Sequence, residues 1–200
     1  MIRNTFLTFL FCITSSFCFS QYDWTEGEIN LKNGQTVFGL VKIPIISKNF
    51  VSFNGKSKIK LKDKTTGSKT KFEEHQVELI KFNYSNSEVA YYKYIPISKK
   101  RKEIFCVIFS GKATLYARVV GTSSSNPGMM SSHGINEFYV LRDNEKIATP
   151  LITARPSRSF RKRAISYFND CPTLVEKLKS RVFSKKDIIT VIKEYNNCSL

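Results

Sequence analysis

One stretch decides the fold: Ile104-Phe105-Cys106-Val107-Ile108-Phe109-Ser110-Gly111-Lys112-Ala113-Thr114-Leu115-Tyr116. Its first six residues are all apolar and rich in β-branched and aromatic types, and the run stops at a Ser-Gly pair. This pattern predicts a short strand that is buried on both faces. Gly111 is expected to supply the positive φ of a tight turn. Apolar and polar residues then alternate from Ala113 to Val119, which predicts a second, half-buried strand.

Turn signals on both sides of this hairpin recur about every eight to twelve residues, a spacing typical of antiparallel sheets. Asn33-Gly34 lies between two alternating segments and predicts another hairpin. Further strands are predicted at 59–62, 70–72, 77–84 and 88–97, the last closed by Pro96, and at 137–141 and 147–152. The predicted body is therefore an antiparallel sheet, arranged as a sandwich, a partial barrel or an extended sheet.

From Ser157 the apolar residues recur every three to four positions, which predicts helices. Ser157 or Ser159 can cap the first helix, and Pro172 suits the first turn of the second. Ser184 followed by Asp187 resembles a capping box at the start of a third. The apolar set predicted for the second helix is Leu174, Val175, Leu178 and Val182. The fold class is therefore α+β, a mainly antiparallel β body followed by a small C-terminal tail of two to three helices.

The first twenty residues are typical of a secretory signal peptide. A short positive start precedes an apolar run of 15 residues, and Cys18 and Ser20 place small residues at positions −3 and −1. Cleavage is expected near Ser20/Gln21. Lipoprotein processing at Cys18 is the alternative, which the bulk of Phe17 disfavours. We therefore expect a signal peptide over 1–20, a β-rich domain over 21–155 and a helical subdomain over 156–200. The expected location is the periplasm, the periphery of the outer membrane or the medium.

The chain is strongly basic, with 32 Lys and Arg against 16 Asp and Glu. Removal of residues 1–20 takes away one arginine, which leaves 31 basic against 16 acidic residues and a formal charge of +15. Two clusters are candidate contacts for polyanions: Lys99, Lys100, Arg101 and Lys102, and Arg155, Arg158, Arg161, Lys162 and Arg163. For an exported protein the candidate partners are anionic lipid, anionic polysaccharide or an acidic protein, and nucleic acid is not expected. An evenly solvated basic surface is the alternative.

Three cysteines remain after signal cleavage: Cys106, Cys171 and Cys198. Cys106 lies in mid-strand with no charged neighbour that would lower its pKa, so it is expected to act as a small hydrophobe. Two short consecutive helices run antiparallel, which brings Cys171 near Cys198. A disulfide between them would close a loop of about 27 residues and stabilise the fold by roughly 3 kcal/mol.

Motifs for catalysis, metal binding or cofactor binding are missing from the sequence. His75 and His133 are far apart, and there is no Cys-x-x-Cys pair, Gly-rich phosphate loop or Gly-x-Ser-x-Gly elbow. Residues 121–136 are rich in Gly, Ser and Asn, which predicts a long loop that is either functional or disordered. Ser131, Ser132 and His133 within it have no partner in sequence that would orient the histidine. We therefore expect no cofactor and no metal.

Five stretches resemble a family of secreted, β-rich Gram-negative bacterial proteins of unknown function: 28–34 with Gly39, 105–116, 137–141, Asn169-Asp170-Cys171-Pro172-Thr173-Leu174-Val175, and Glu194-Tyr195-Asn196-Asn197-Cys198. The resemblance implies an exported β-rich body with a helical tail, and it implies no activity. The expected function is a non-enzymatic envelope module that binds or scaffolds through a basic surface. The alternatives are an interaction subunit of an envelope complex and, last, a hydrolase with an unrecognised site.

Overall fold

The computed structural model describes residues 24–43, 46–47, 58–84, 88–121, 135–153 and 159–198. The described residues form eleven strands: β1 (Thr25–Leu31), β2 (Thr36–Lys42), β3 (Ile46–Ser47), β4 (Ile59–Lys62), β5 (Lys69–Phe72), β6 (Val77–Asn83), β7 (Val89–Ser98), β8 (Arg101–Phe109), β9 (Ala113–Gly121), β10 (Ile135–Arg142) and β11 (Thr149–Ile152). The helices are α1 (Phe160–Tyr167), α2 (Pro172–Lys179), a 3₁₀ turn (Lys185–Asp187) and α3 (Ile188–Asn196). The predicted α+β class, an antiparallel body with a small helical tail, is confirmed. None of the described helices has the length and hydrophobicity that crossing a bilayer requires.

The strands form one sheet in the order β11-β10-β9-β8-β7-β6-β1-β2-β4-β5, and every pair along this path is antiparallel. The sheet consists of two meanders, β1-β2-β4-β5 and β6 to β11, which meet where β6 pairs with β1. The short strand β3 pairs in parallel with the end of β9, where Ile46 lies opposite Val120.

The first meander is rolled up. Strands β5 and β6 are four positions apart in the sheet, about 19 Å if it were flat. Only residues 73–76 connect them, and the Gln76 N–H donates a hydrogen bond to the Glu73 carbonyl 3.0 Å away, so this connection is a tight turn. The roll also requires close strand contacts: a Cβ on Gly27 would lie 2.5 Å from the Lys81 carbonyl, and one on Gly39 would lie 2.7 Å from that of Lys62. The inner face of the roll is therefore enclosed by its own strands.

Each face of the sheet carries apolar residues, and β8 contributes to both. Ile104 packs into the cluster inside the roll, whereas Phe105 points to the other face, here called the outer face. Tyr116 and Tyr139 join Phe105 there. A third cluster lies on the inner face at the β9-β10-β11 end, where the helices cover these residues: Ala113, Leu115, Val140 and Leu151.

The predicted central hairpin forms, with two corrections. Burial on both faces holds for Ile104 and Phe105, but Ile108 is 38% exposed, so the later part of β8 is covered less well than predicted. Gly111 does not have a positive φ; among the described glycines only Gly34 (86°) and Gly67 (70°) do. Gly111 is required for space instead, because a Cβ there would lie 2.3 Å from Asn196 Nδ2.

Asn196 joins the end of α3 to this hairpin. Its Oδ1 accepts a hydrogen bond from the Ala113 N–H (2.8 Å), and its Nδ2 donates one to the Ala113 carbonyl (3.0 Å). The Lys112 ammonium donates to the carbonyl of Cys198 at 2.7 Å. Cys198 itself forms a disulfide with Cys171, with the Cα atoms 6.2 Å apart. The two ends of the α2–α3 unit are thus linked to each other and to the hairpin.

The residues predicted to begin the helices lie at the helix starts in the structure. The Ser159 hydroxyl accepts from the Lys162 N–H, and Pro172 occupies the first turn of α2. Ser184 and Asp187 form both hydrogen bonds of a capping box. The prediction that Val182 belongs to the apolar set of the second helix is wrong. Helix α2 ends at Lys179, and Val182 lies beyond it with 61% of its surface exposed.

The prediction for Pro96, in another part of the sheet, also needs correction. Pro96 does not close β7, which runs on to Ser98, and it pairs with Lys102 of β8 inside the sheet. The register shifts between Pro96 and Ser98, so a local irregularity accommodates the missing N–H. The Pro96 carbonyl accepts a hydrogen bond from the Ala148 N–H at 2.8 Å, which holds the segment before β11 against this point.

An arginine anchors the helices to the end of β10. Arg142 donates to the Tyr167 carbonyl (2.7 Å) and to Asp170 (2.9 Å), and its guanidinium lies over the rings of Tyr167 and Tyr195, 4.5 and 5.0 Å from their centroids. The Tyr195 hydroxyl donates to the other Asp170 oxygen at 2.8 Å. Burial, and next the hydrogen bond to Asp170, raise the pKa of Tyr195 to about 12.

Candidate functional site

A group of charges with no described ion-pair partner lies on the outer face of β2, β4 and β5. We call this surface the lysine face, and it consists of Lys42, Lys60, Lys62, Lys69 and Lys71. The strand register places three pairs directly opposite each other: Lys42 and Lys60, Lys60 and Lys71, and Lys62 and Lys69. Their apolar neighbours in the sequence turn inward to the rolled core, as Leu61 and Phe72 show.

The alternation of residue types explains why these lysines share one side. Strand side chains alternate between the two faces, so lysines two residues apart in β4 and in β5 point the same way. Every outward position of these two strands is a lysine. No described carboxylate forms an ion pair with any of the five, whereas lysines at the border do have partners: Lys58 pairs with Glu73 (3.0 Å) and Lys64 with Glu26 (2.5 Å).

The acid nearest to the lysine face in sequence is Asp63, and it is engaged in the β4–β5 turn. Its Oδ1 accepts hydrogen bonds from the Thr65 N–H (2.9 Å) and from the N–H and hydroxyl of Thr66 (2.7 and 3.0 Å). The backbone hydrogen bond from Thr66 is the main reason that the pKa of Asp63 is lowered. Asp63 thus serves the turn, and the lysine face keeps its positive charge.

Like charges directly opposite each other in a sheet are destabilising, by an estimated few tenths of a kcal/mol for each exposed pair. β5 is also the end strand of the sheet, where lysines protect against edge-to-edge association. That role requires charge at the β5 edge. It does not require Lys42 and Lys60, which lie on β2 and β4, inside the sheet. The charge of this face therefore exceeds what protection of the edge requires.

Aromatic and apolar groups border the lysine face. Phe38 and Leu40 lie on the same side of β2 as Lys42, and Phe38 is 68% exposed. Leu40 pairs across the sheet with Lys62. Trp24, just before β1, lies with its ring centroid 5.9 Å from the Lys69 ammonium. The surface thus combines positive charge with exposed apolar area.

The predicted cluster Lys99–Lys102 lies at the β7–β8 turn, where it is exposed to solvent but partly neutralised. Arg101 forms an ion pair with Glu103, and Lys102 lies 3.7 Å from a Glu74 oxygen. Lys99 and Lys100 form no ion pair with the described residues. The cluster therefore has less free charge than its sequence suggests.

Of the second predicted cluster, Arg155 and Arg158 lie outside the described residues. Arg161, Lys162 and Arg163 follow one another in α1, so they point in different directions around the helix. Arg163 is half-buried and donates to the Thr153 hydroxyl at 3.5 Å.

One described residue of each predicted cluster acts electrostatically on Tyr139. Burial is the main cause of the raised pKa of Tyr139, and the charges of Arg101 and Arg163, one from each cluster, both oppose the rise. Near the same ring, Arg118 binds Glu103 and Glu137, the latter through Nε and NH2 at 2.9 and 2.8 Å. Glu137 is only 7% exposed. Arg101 also pairs with Glu103, so two arginines balance these two acids and this end of the sheet is held by paired charges.

Of the histidines and serines considered for catalysis, His75 alone lies within the described ranges. His75 is exposed in the β5–β6 turn, 3.6 Å from Glu73, and Ser131, Ser132 and His133 lie outside the described residues. Within the described ranges, no group of three His, Cys, Asp or Glu side chains is arranged to hold a metal ion. Cys106 is half-buried, and burial raises the pKa of its thiol.

Sequence reasoning missed the lysine face, although its signal is present. Lys60 and Lys62 alternate with apolar residues, and Lys69 and Lys71 stand two apart, which shows that each pair shares a face. The pairing of β4 with β5 and with β2 is what joins them, and register cannot be read from composition. Comparison with protein families, curated proteins and solved structures finds no match for this chain.

Proposed function

We propose that the protein is an exported, non-enzymatic binding module of the Gram-negative cell envelope that docks on an anionic lipid surface through the lysine face. The observation that supports this is the set of five lysines that face one another across three strands without a described carboxylate partner. The signal-like segment 1–20 and the overall basic charge point in the same direction. The resemblance to secreted β-rich envelope proteins is part of the same proposal.

The lipid surface is favoured over a dissolved polyanion because of Phe38. A 68% exposed phenylalanine beside lysines can enter the boundary between lipid headgroups and acyl chains, an apolar layer that a dissolved polyanion does not have. Trp24 next to Lys69 has the amphipathic ring that is enriched at such boundaries. Lysines near an anionic membrane surface each contribute about 1 kcal/mol to attraction.

Sedimentation with vesicles tests the proposal. We would compare phosphatidylcholine vesicles with and without phosphatidylglycerol, over a series of salt concentrations. We expect binding to the anionic vesicles alone, and weaker binding as salt screens the charges. The variant Lys60→Thr/Lys71→Thr should bind about 30-fold more weakly, because two lysine contributions of about 1 kcal/mol each are lost. Its fold should persist, since the substitution removes facing charges and threonine suits strands.

Two controls separate lipid docking from bulk charge. The variant Lys179→Ser/Lys186→Ser removes the same net charge from exposed positions of the helical tail, and it should bind as the native protein does. Phe38→Ser should weaken vesicle binding roughly tenfold, and the size of this loss should not depend on the salt concentration. Equal losses in the two lysine double variants would overturn the proposed face. Binding to dextran sulfate without binding to vesicles would overturn the lipid target.

A further inference from the structure

A cleft of about 250 Å³ opens on the outer face of the sheet, and no residue of the lysine face lines it. It lies between the turn that joins β5 to β6 and the strands β7 to β10. Ile95, Tyr116 and Leu141 line it, and all three belong to the apolar cluster of the outer face. Ile95 and Tyr116 are buried, so the floor of the cleft is an apolar surface on internal strands of the sheet.

The remaining lining residues include five charged side chains from three parts of the chain: Lys32, Glu74, Glu78, Lys93 and Lys102. Three lysines against two glutamates leave one positive charge in excess. Lys32 forms no ion pair with the described residues. Its backbone is fixed at the cleft, because the Lys32 N–H donates to the Gln76 carbonyl at 2.9 Å.

The two ion pairs in the cleft are loose. Lys93 Nζ lies 3.8 Å from Glu78, and Lys102 Nζ lies 3.7 Å from Glu74. Both distances exceed the 2.7–3.2 Å or so of a direct hydrogen bond, so each ammonium group has capacity for another acceptor. An entering anion would therefore meet ammonium groups that need not first break a hydrogen bond.

We propose that the cleft binds a small organic carboxylate with an apolar body. The apolar floor calls for an apolar body. The excess positive charge, together with a Lys32 that has no ion-pair partner among the described residues, calls for an anionic group, and the volume of the cleft limits the size of the ligand. Since a water molecule occupies about 30 Å³, the cleft offers the space of roughly eight waters, which suits a ligand of about ten non-hydrogen atoms. The cleft would bind such a ligand whether or not the lysine face docks on lipid.

Titration followed by amide NMR shifts tests this with three matched probes: phenylacetate, its neutral isostere phenylacetamide, and the cation phenethylamine. We expect phenylacetate to bind with a Kd of about 1 mM, in line with the efficiency of small ligands. The shifted signals should be those of Lys32, Gln76 and Tyr116. Phenylacetamide and phenethylamine should bind at least about tenfold more weakly, because neither carries the carboxylate that the lysines bind.

The variant Lys32→Met tests the assignment of the anionic contact. It should weaken phenylacetate binding about tenfold and leave phenylacetamide binding unchanged, because methionine keeps the apolar length of the side chain. Lys146→Met, at an exposed position between β10 and β11, is the matched control and should change neither. Equal binding of the acid and the amide, shifts located away from the cleft, or tighter binding of phenethylamine would overturn the proposal.

Discussion

Replacing Gly111 by alanine should break the contact between the β8–β9 hairpin and α3. The added Cβ would lie 2.3 Å from Asn196 Nδ2 and 2.6 Å from its Cγ, distances at which two atoms cannot pack. The asparagine must therefore swing away, and both of its hydrogen bonds to Ala113 are lost. The three atoms nearest to this Cβ all belong to Asn196, so the main cost should arise from the displacement of that side chain.

The expected magnitude follows from these two bonds. Each contributes about 0.5–1.5 kcal/mol net, so losing both costs about 2 kcal/mol. Because φ of Gly111 is not positive, alanine fits its backbone and should return about 0.4–1 kcal/mol by restricting the unfolded chain. Gly111→Ala should therefore destabilise the native protein by roughly 1–2 kcal/mol. In an Asn196→Ala background the same change should be neutral or slightly stabilising.

Urea unfolding of the four proteins of this double-mutant cycle, with the disulfide intact, measures the coupling, expected to be about 2 kcal/mol. Gly34→Ala is the control. Gly34 has a φ of 86° and open space around its Cβ position, so alanine there should cost about 1 kcal/mol of strain in both backgrounds. If Gly111→Ala costs the same with and without Asn196, the reasoning is refuted.

Two further changes act on the helical tail. Arg181 follows α2 with a φ of 65°, in a left-handed turn that is closed by the hydrogen bond from the Val182 N–H to the Lys177 carbonyl. Because glycine adopts this conformation without strain, Arg181→Gly should stabilise the protein by roughly 0.5–1 kcal/mol and raise Tm by about 2 °C. Arg181→Ala should not stabilise it. The pKa of Tyr195 is raised to about 12, so the neutral phenol stabilises the native protein. This contribution to the free energy of unfolding is complete below pH 10 and is lost as the pH rises towards 12. Thermal unfolding at several pH values tests this, because Tyr195→Phe should reduce the fall in Tm at alkaline pH. An unchanged pH dependence of Tm would contradict the prediction. Tyr91→Phe, at an exposed position, is the control.

Local signals in the sequence predicted the elements that depend on few residues. Asn33-Gly34 forms its hairpin, with Gly34 at positive φ, and Ser184 with Asp187 forms its capping box. Each of these features depends on interactions among no more than four consecutive residues, so it can be predicted from the local sequence. Ile108 and Val182 were misplaced because their exposure depends on what packs over them. The role of Gly111 was also misread, since it depends on Asn196, which is distant in the chain.

The candidate site was harder to predict for the same reason. Runs of consecutive basic residues are conspicuous in sequence, but Lys102 lies close to Glu74 and Arg163 turns to Thr153, both from other elements. The lysine face is assembled in the opposite way, from single lysines that only strand register brings together. Charge that is spread along the sequence can thus become concentrated in the fold, and basic residues that are consecutive in the sequence can each become engaged with groups on other parts of the chain.

The rolled meander has a consequence for how the chain folds. Strand β6 can pair with β1, joining residues 29 and 80, only when β2, β4 and β5 have curled round far enough for the turn at 73–76 to reach. Bringing two such distant strands together carries an entropy cost that grows slowly with the length of the enclosed chain. The contacts between β1 and β6 that offset this cost form only when the roll is complete. By contrast, β6 to β11 can form hairpin by hairpin. We therefore expect the second meander to form first and the closure of β1 on β6 to limit the folding rate.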